Sequence, residues 1–253
     1  MKFKQVQIVK IGTQALFREN DRIDINKIND LGHDVKVLRD HHGIMSILVT
    51  SGAISLGKMA QSLSGLDDHI LQARAAASIG QLHLMDLYKL SIGEEIAQIM
   101  PTHHSLLNED NRLAFEKMMR MLVGNGVFPV VNYNDTVDDY ELQHISNFAD
   151  NDKLTETLAL MLKVDRVVIL SDVDGFMDGE GNLIEKITFG DDFDKLRGYC
   201  DGKSNRGTGG MISKLDVANT LMKNGVEMII GNSKYPLVEI VNGKRKRTVF
   251  QAN

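Results

Sequence analysis

Short runs of aliphatic and β-branched residues alternate along this chain with longer stretches of helical periodicity, and that alternation constrains the fold more than any single motif. The runs Gln5 to Ile11, Ile44 to Thr50, Ile96 to Met100, Val127 to Asn132, Arg166 to Ser171 and Glu227 to Gly231 read as strands. Between them, helical patterns cover Ile70 to Leu90, where Leu71, Ala75, Ile79 and Leu82 read as one core face and Met85 and Leu87 as exposed extras, Asn111 to Val123, and Asn151 to Lys163. Strands that alternate with helices belong to an α/β fold, a mainly parallel sheet covered on both faces. The chain has 253 residues, only three prolines and no Ser/Pro-rich linker, so one domain over 1–253 is expected. A two-strand extension at Val137 to Ile145 and a C-terminal hairpin around Asn242-Gly243 read as embellishments of it.

In open parallel sheets ligands bind beyond the carboxyl ends of the strands, which directs attention to the residues that follow each run. The first run ends in Lys10-Ile11-Gly12-Thr13 and the second in Thr50-Ser51-Gly52-Ala53, each offering a small residue and glycine amides to an anion. Gly12 and Gly52 also suit ordinary strand-to-helix turns. Lys10 closes an otherwise apolar run, where an ammonium group needs a charged partner or a ligand, unless it snorkels to the surface. Further on, Asn132-Tyr133-Asn134-Asp135-Thr136 and Asp150-Asn151-Asp152 are dense in short polar side chains that favour turns and helix caps. One cap accounts for Asp150 or Asn151 and leaves Asp152 in a first helical turn, where a carboxylate orients a lysine or holds magnesium through water. Ser171-Asp172-Val173-Asp174-Gly175 reads as a turn or as a nucleotide contact.

The stretch Arg206-Gly207-Thr208-Gly209-Gly210-Met211-Ile212-Ser213-Lys214 leads into an amphipathic helix carrying Leu215, Ala218 and Met222. Three glycines, the amides of a helix start and a lysine one turn in make a phosphate-binding arrangement, although a plain helix entry has the same look. Its spacing matches neither the GxxxxGK[ST] loop nor the GxGxxG fingerprint.

The charge balance narrows the class of partner. Twenty-nine basic against thirty-four acidic residues give a formal charge of −5, which argues against a nucleic-acid surface. A single cysteine, Cys200, leaves no intramolecular disulfide framework and fits a reducing compartment. No apolar run approaches the roughly 18 residues of a membrane span, and Met1 to Ile11 shows no signal-peptide core, so a cytoplasmic protein without membrane attachment is expected. The pairs His41-His42 and His103-His104 have no metal-ligand spacing, and no residue is assigned directly to a metal.

Taken in order, Val9-Lys10-Ile11-Gly12, Ser51-Gly52-Ala53-Ile54, Ala76-Ala77-Ser78-Ile79-Gly80-Gln81, Asn134-Asp135-Thr136-Val137, Asp150-Asn151-Asp152 and Gly207-Thr208-Gly209-Gly210-Met211 with Lys214 resemble the amino acid kinase family. Within it they are most similar to the members that phosphorylate the γ-carboxylate of L-glutamate at the start of proline biosynthesis. The resemblance implies a three-layer αβα sandwich around a central, mostly parallel sheet, with glutamate over the N-terminal part and ATP, with Mg²⁺, over the C-terminal part. It assigns Lys10 and Lys214 to the transferring phosphate, with the Gly12 and Gly52 amides lining the same site. Ser51, Asp135 and Asn151 would bind glutamate, and Asp152 would orient the two lysines. Ser171, Asp172 and the loop Thr208, Gly209, Gly210, Met211, Ile212, Ser213 and Lys214 would hold ATP, with magnesium carried mainly by its phosphates and water. The family also implies a homodimer or homotetramer. Many members append a C-terminal RNA-binding-like domain, which this sequence, ending at Asn253, is expected to lack. Tyr133, Ala149 and Ser171 stand where such members usually carry glutamate, glycine and threonine.

The chemistry agrees with those residue types. A γ-carboxylate ordinarily titrates at a pKa of about 4.3 and is already ionised at neutral pH, so its attack on phosphorus needs no general base. Positioning and neutralisation of charge are what phosphoryl transfer demands. Two other readings stay open: a sibling kinase acting on acetylglutamate, aspartate, carbamate or UMP, and a non-catalytic amino-acid or nucleotide sensor. Asp135 favours a free α-ammonium over an acylated or phosphorylated substrate, and the joint presence of Lys10, Asp152 and Lys214 exceeds what binding alone requires.

Overall fold

The computed structural model describes residues 2–17, 22–61, 68–137, 150–200 and 210–252. In chain order the elements are β1 (Gln5–Ile11), α1 (Thr13–Leu16), α2 (Ile25–His42), β2 (Ile44–Val49), α3 (Ala53–Ala60), α4 (His69–Ile92), β3 (Ile96–Ile99), α5 (His103–Leu107), α6 (Glu109–Gly124) and β4 (Phe128–Val131). After these come α7 (Asp150–Leu162), β5 (Arg166–Ser171), β6 (Lys186–Thr188), α8 (Phe193–Gly198), α9 (Met211–Lys223), β7 (Glu227–Asn232), α10 (Leu237–Val241) and β8 (Arg247–Gln251). Among the described residues the strands form one eight-stranded sheet in the order β3-β4-β2-β1-β5-β7-β8-β6. Every pairing is parallel except β7 with β8.

Burial on both faces explains why the strands were continuous apolar runs rather than alternating ones, β2 being buried at all of its positions. Lys10, Ile169 and Ile230 lie in register and point to the face covered by α7. Gly231, one residue on, points the other way, where an added Cβ would meet Ile240 of α10 at 2.7 Å. Helices therefore cover both sides of the sheet. The order also reverses at β1: β2, β4 and β3 lie on one side of it and β5, β7, β8 and β6 on the other. Such a switch point opens a crevice beyond the carboxyl end of the central strand, and Lys10 stands at its mouth.

Three expectations are corrected. Asn242-Gly243 is no hairpin turn: Asn242 caps α10 at its C-terminus, and Gly243 takes the left-handed φ of 72° that follows. Leu237, Ile240 and Val241 bury at helical spacing, and the Leu237 amide donates to Asp34 Oδ2 at 2.6 Å, so a helix is fixed where the dipeptide alone signals a tight turn. Along α4, Leu71, Ala75, Ile79 and Leu82 read as one core face with Met85 and Leu87 as exposed extras. Instead Leu71 and Leu82 are 44% and 65% exposed while Met85 is buried. The inner face consists of Ala73, Ala76, Ala77, Gly80, Leu84 and Tyr88, because α3 crosses at backbone contact distance and only small residues fit there. Finally, α7 already contains Asp150, so Asn151 is a first-turn residue and not a cap. The extension beyond Val137, and the side chain of Asp150, lie outside the described residues.

Candidate active site

Lys10 is 5% exposed, and its ammonium lies 2.8 Å from Asp152 Oδ1. Lys214 reaches the same carboxylate from the first turn of α9, its Nζ 3.3 Å from Oδ2. Asp152 itself, in the first turn of α7, has no exposed side-chain surface. Two ammonium groups therefore share one buried carboxylate, which holds them against mutual repulsion. Two ammonium groups converging on one point beyond a strand end suit an anion.

The backbone around this triad is shaped for the same ligand. Gly12 is the N-cap of α1 and Gly52 the N-cap of α3, neither helix has a side-chain cap, and the parallel pairing of β1 with β2 sets the two turns side by side. A Cβ at position 12 would lie 3.5 Å from Lys10 Nζ, so the ammonium tucks beneath that turn. Gly52 is obligatory on two counts: its φ is 104°, and a Cβ would meet the Phe17 ring at 2.9 Å. Its helix is locked from behind, since a Cβ on Gly80 of α4 would fall 1.8 Å from the Ala53 carbonyl oxygen.

Toward β4 the polar groups are bonded to one another. Asn151 donates from Nδ2 to Ser51 Oγ and, at 3.1 Å, to the Thr50 carbonyl. The Thr50 hydroxyl is 2.8 Å from the buried Tyr88 hydroxyl, and Asn132 donates to Gln81 Oε1 at 2.9 Å. With its donor engaged, Asn151 presents a buried Oδ1 that has no partner among the described residues, as does Asn134. Two buried carbonyl oxygens left open beside a strand end are suited to a ligand that donates hydrogen bonds. Asp135 stands half-buried in the turn after β4. Asn134 lies in the polar cluster noted after the fourth run but was not singled out as a site residue, because nothing separates it from its polar neighbours until burial is known.

Toward β7 the groups are more open. Ser171 donates to Asp172 Oδ1 at 3.1 Å, and the Asn232 side chain donates to the Asp172 carbonyl and to Asp174 Oδ1. Asp174 also pairs with Lys234 at 3.0 Å, and this hydrogen bond holds its carboxyl below the ordinary aspartate range. Asn232 and Lys234 extend the strand-end rule to β7. Gly210 is the N-cap of α9 with no side-chain cap, and Met211, Ile212 and Ser213 form its first turn ahead of Lys214. Thr208 and Gly209 lie outside the described residues. The structure thus joins Lys10, Gly12, Asp152 and Lys214 in one group and Ser51 with Asn151 in an adjoining one.

Residues 5–232 match the model of the amino acid kinase family. The chain is 34% identical to a glutamate 5-kinase of Clostridium perfringens, over 97% of this chain and 94% of that protein. It is 33% identical to a glutamate 5-kinase of Lactococcus lactis subsp. lactis, over 96% and 93% respectively. Among solved structures, a carbamate kinase from Giardia lamblia bound to AMP-PNP superposes with a TM-score of 0.68 at 13% identity, all of both chains being covered. A UMP kinase from Ureaplasma parvum superposes with a TM-score of 0.63 at 19% identity, over 98% of this chain and 100% of that one. These two likenesses concern the fold alone. The family model and the coverage of the relatives together establish that the chain belongs to the amino acid kinase family.

Proposed function

We propose that this chain transfers the γ-phosphoryl group of ATP to the γ-carboxylate of L-glutamate, giving γ-glutamyl phosphate, the first step of proline biosynthesis. The observation that carries the reading is the Lys10–Asp152–Lys214 triad at the switch point, in a chain whose relatives are glutamate 5-kinases. Lys10 and Lys214 neutralise charge on the phosphoryl group in flight, the Gly12 and Gly52 amides cradle its oxygens, and Asp152 fixes both ammonium groups in place. Ser51, Asn151 and Asp135 hold glutamate, Asp135 facing the α-ammonium group. The open oxygens of Asn134 and Asn151 fit the same donor. Ser171, Asp172 and residues 208–214 take the nucleotide. Because Asp152 is committed to two lysines, magnesium fits as the companion of the ATP phosphates, where it supplies further charge neutralisation.

The proposal includes a single catalytic domain, cytoplasmic location and assembly into a homodimer or homotetramer, for which the exposed Leu82, Leu90 and Met121 offer apolar surface. The direct test is ATP-dependent formation of the hydroxamate from L-glutamate in the presence of hydroxylamine, which intercepts an acyl phosphate. N-acetylglutamate, aspartate, carbamate and UMP serve as rivals. Glutamate is expected to give the highest kcat/KM, and faster turnover of N-acetylglutamate would overturn the assignment.

A further inference from the structure

At the amino-terminal edge of the sheet, opposite the triad, a cavity of about 450 Å³ opens between the C-terminal ends of α6 and α7. We propose that it binds a small organic anion with an apolar body. Val6, Ile47, Met119, Val123 and Leu162 form its apolar wall. Its volume falls within the range of about 300–1,000 Å³ usual for small-molecule sites, and an apolar wall with a few polar groups is their usual composition.

The charged groups around it choose the sign. Asp165 is the one carboxylate in the lining, and its Oδ2 accepts from the Val6 amide at 2.7 Å. Arg120 is engaged with Glu116 on its own helix at 2.8 Å, and the Lys2 ammonium lies over the Phe3 ring. Lys4 and Lys163, both lining the cavity, have no acidic partner among the described residues. Two uncompensated ammonium groups call for an anion. The carbonyl ends of α6 and α7 face the same space and weaken its hold on multiple negative charge, so a single carboxylate, sulfonate or similar group fits best.

Lys163 supplies an independent reason to expect a ligand. Its φ of 52° makes it the one residue other than glycine with a left-handed backbone among the described residues. It ends α7 where the Val164 amide returns to the Ala159 carbonyl at 3.2 Å, a closure in which glycine is the ordinary residue. A lysine kept in a conformation that glycine would adopt without strain, at the rim of a cavity, is explained by a use for its side chain.

The site is separate from the one described above. Val6, Ile8 and Lys10 share one face of β1, and the distance from Val6 to Lys10 along the strand is about 13 Å. Ile8, fully buried, stands between them.

The test uses 8-anilinonaphthalene-1-sulfonate, a bicyclic apolar body with one sulfonate, in a fluorescence titration of the full chain. The expected result is one site per chain with a Kd on the order of 10–100 µM. Saturating ATP, magnesium and glutamate should leave that Kd unchanged, and the uncharged N-phenyl-1-naphthylamine should bind about tenfold more weakly. Lys4→Gln with Lys163→Gly should weaken the sulfonate about tenfold. Lys163→Gly alone should hold the Tm or raise it by about 2–4 °C, which shows that the loss of binding is not a loss of fold. Val123→Trp, which fills the cavity, should abolish binding. An unchanged Kd in the double lysine variant, displacement by ATP or glutamate, or equal affinity for the uncharged probe would each overturn the proposal.

Discussion

On the β2–β4 side of Lys10 the polar side chains are buried and bonded to one another, whereas on the β5–β7 side most of them stand at the surface. Thr50, Tyr88, Gln81 and Asn132 are all less than 5% exposed, while Lys234 and Asp174 retain 52% and 22% of their side-chain surface. Buried networks of mutually bonded side chains are rigid, and exposed pairs are weak and screened by salt. The first half is therefore the more rigid of the two. A small acceptor substrate, offering few atoms for recognition, needs the first kind of surface. A nucleotide, with many contacts to distribute, tolerates the second.

The sharpest break in this contrast lies at the triad that joins the halves. If its ammonium acts as proposed on charge that grows in the transition state, Lys214→Ala should lower kcat by about 10²–10³ with little change in glutamate KM. Steady-state kinetics showing near-normal kcat would remove Lys214 from the chemistry. On the rigid side, Gly80→Ala should cost about 3 kcal/mol of stability in denaturant unfolding, since α3 and α4 must part to admit the Cβ. The cost should appear as lost cooperativity of the acceptor half, with raised glutamate KM in whatever fraction stays folded. Asp135→Ala is expected to raise glutamate KM about 10- to 100-fold, equal to about 1.4–3 kcal/mol, with ATP KM near wild type. A shift in ATP KM of similar size would mean that the halves are not independent. Smallest of all, Lys234→Ala should change ATP KM less than about threefold and only at low salt, as befits an exposed pair.

Much of the frame was legible in the sequence. The limits of β1 and β5 coincide with the apolar runs, because strands buried on both faces announce themselves by continuity. Lys10 was legible for a complementary reason: an ammonium at the end of such a run requires a partner, and Asp152 is that partner. The supporting bonds were not legible. Thr50 meets Tyr88, and Asn132 meets Gln81, only once α4 is laid beside the strand ends, and neither member of either pair carries a mark of it in its own neighbourhood. The inner face of α4 was misread because size usually signals burial, and a helix that touches its neighbour through glycine and alanine inverts that rule. The short strand β6 escaped notice since three residues are too few to show a period. Lys163 gave no warning either, as nothing in a lysine's surroundings in sequence foretells a left-handed backbone.

Asp152 receives one lysine from the first strand and the other from a helix that follows it by 62 residues. During synthesis the carboxylate and Lys10 leave the ribosome well before Lys214 does. Until α9 is made, the carboxylate has only Lys10 to pair with, and the second ammonium group of the site is missing. The triad is therefore completed only by one of the last helices to be made, which ties the finished site to synthesis of nearly the whole sheet.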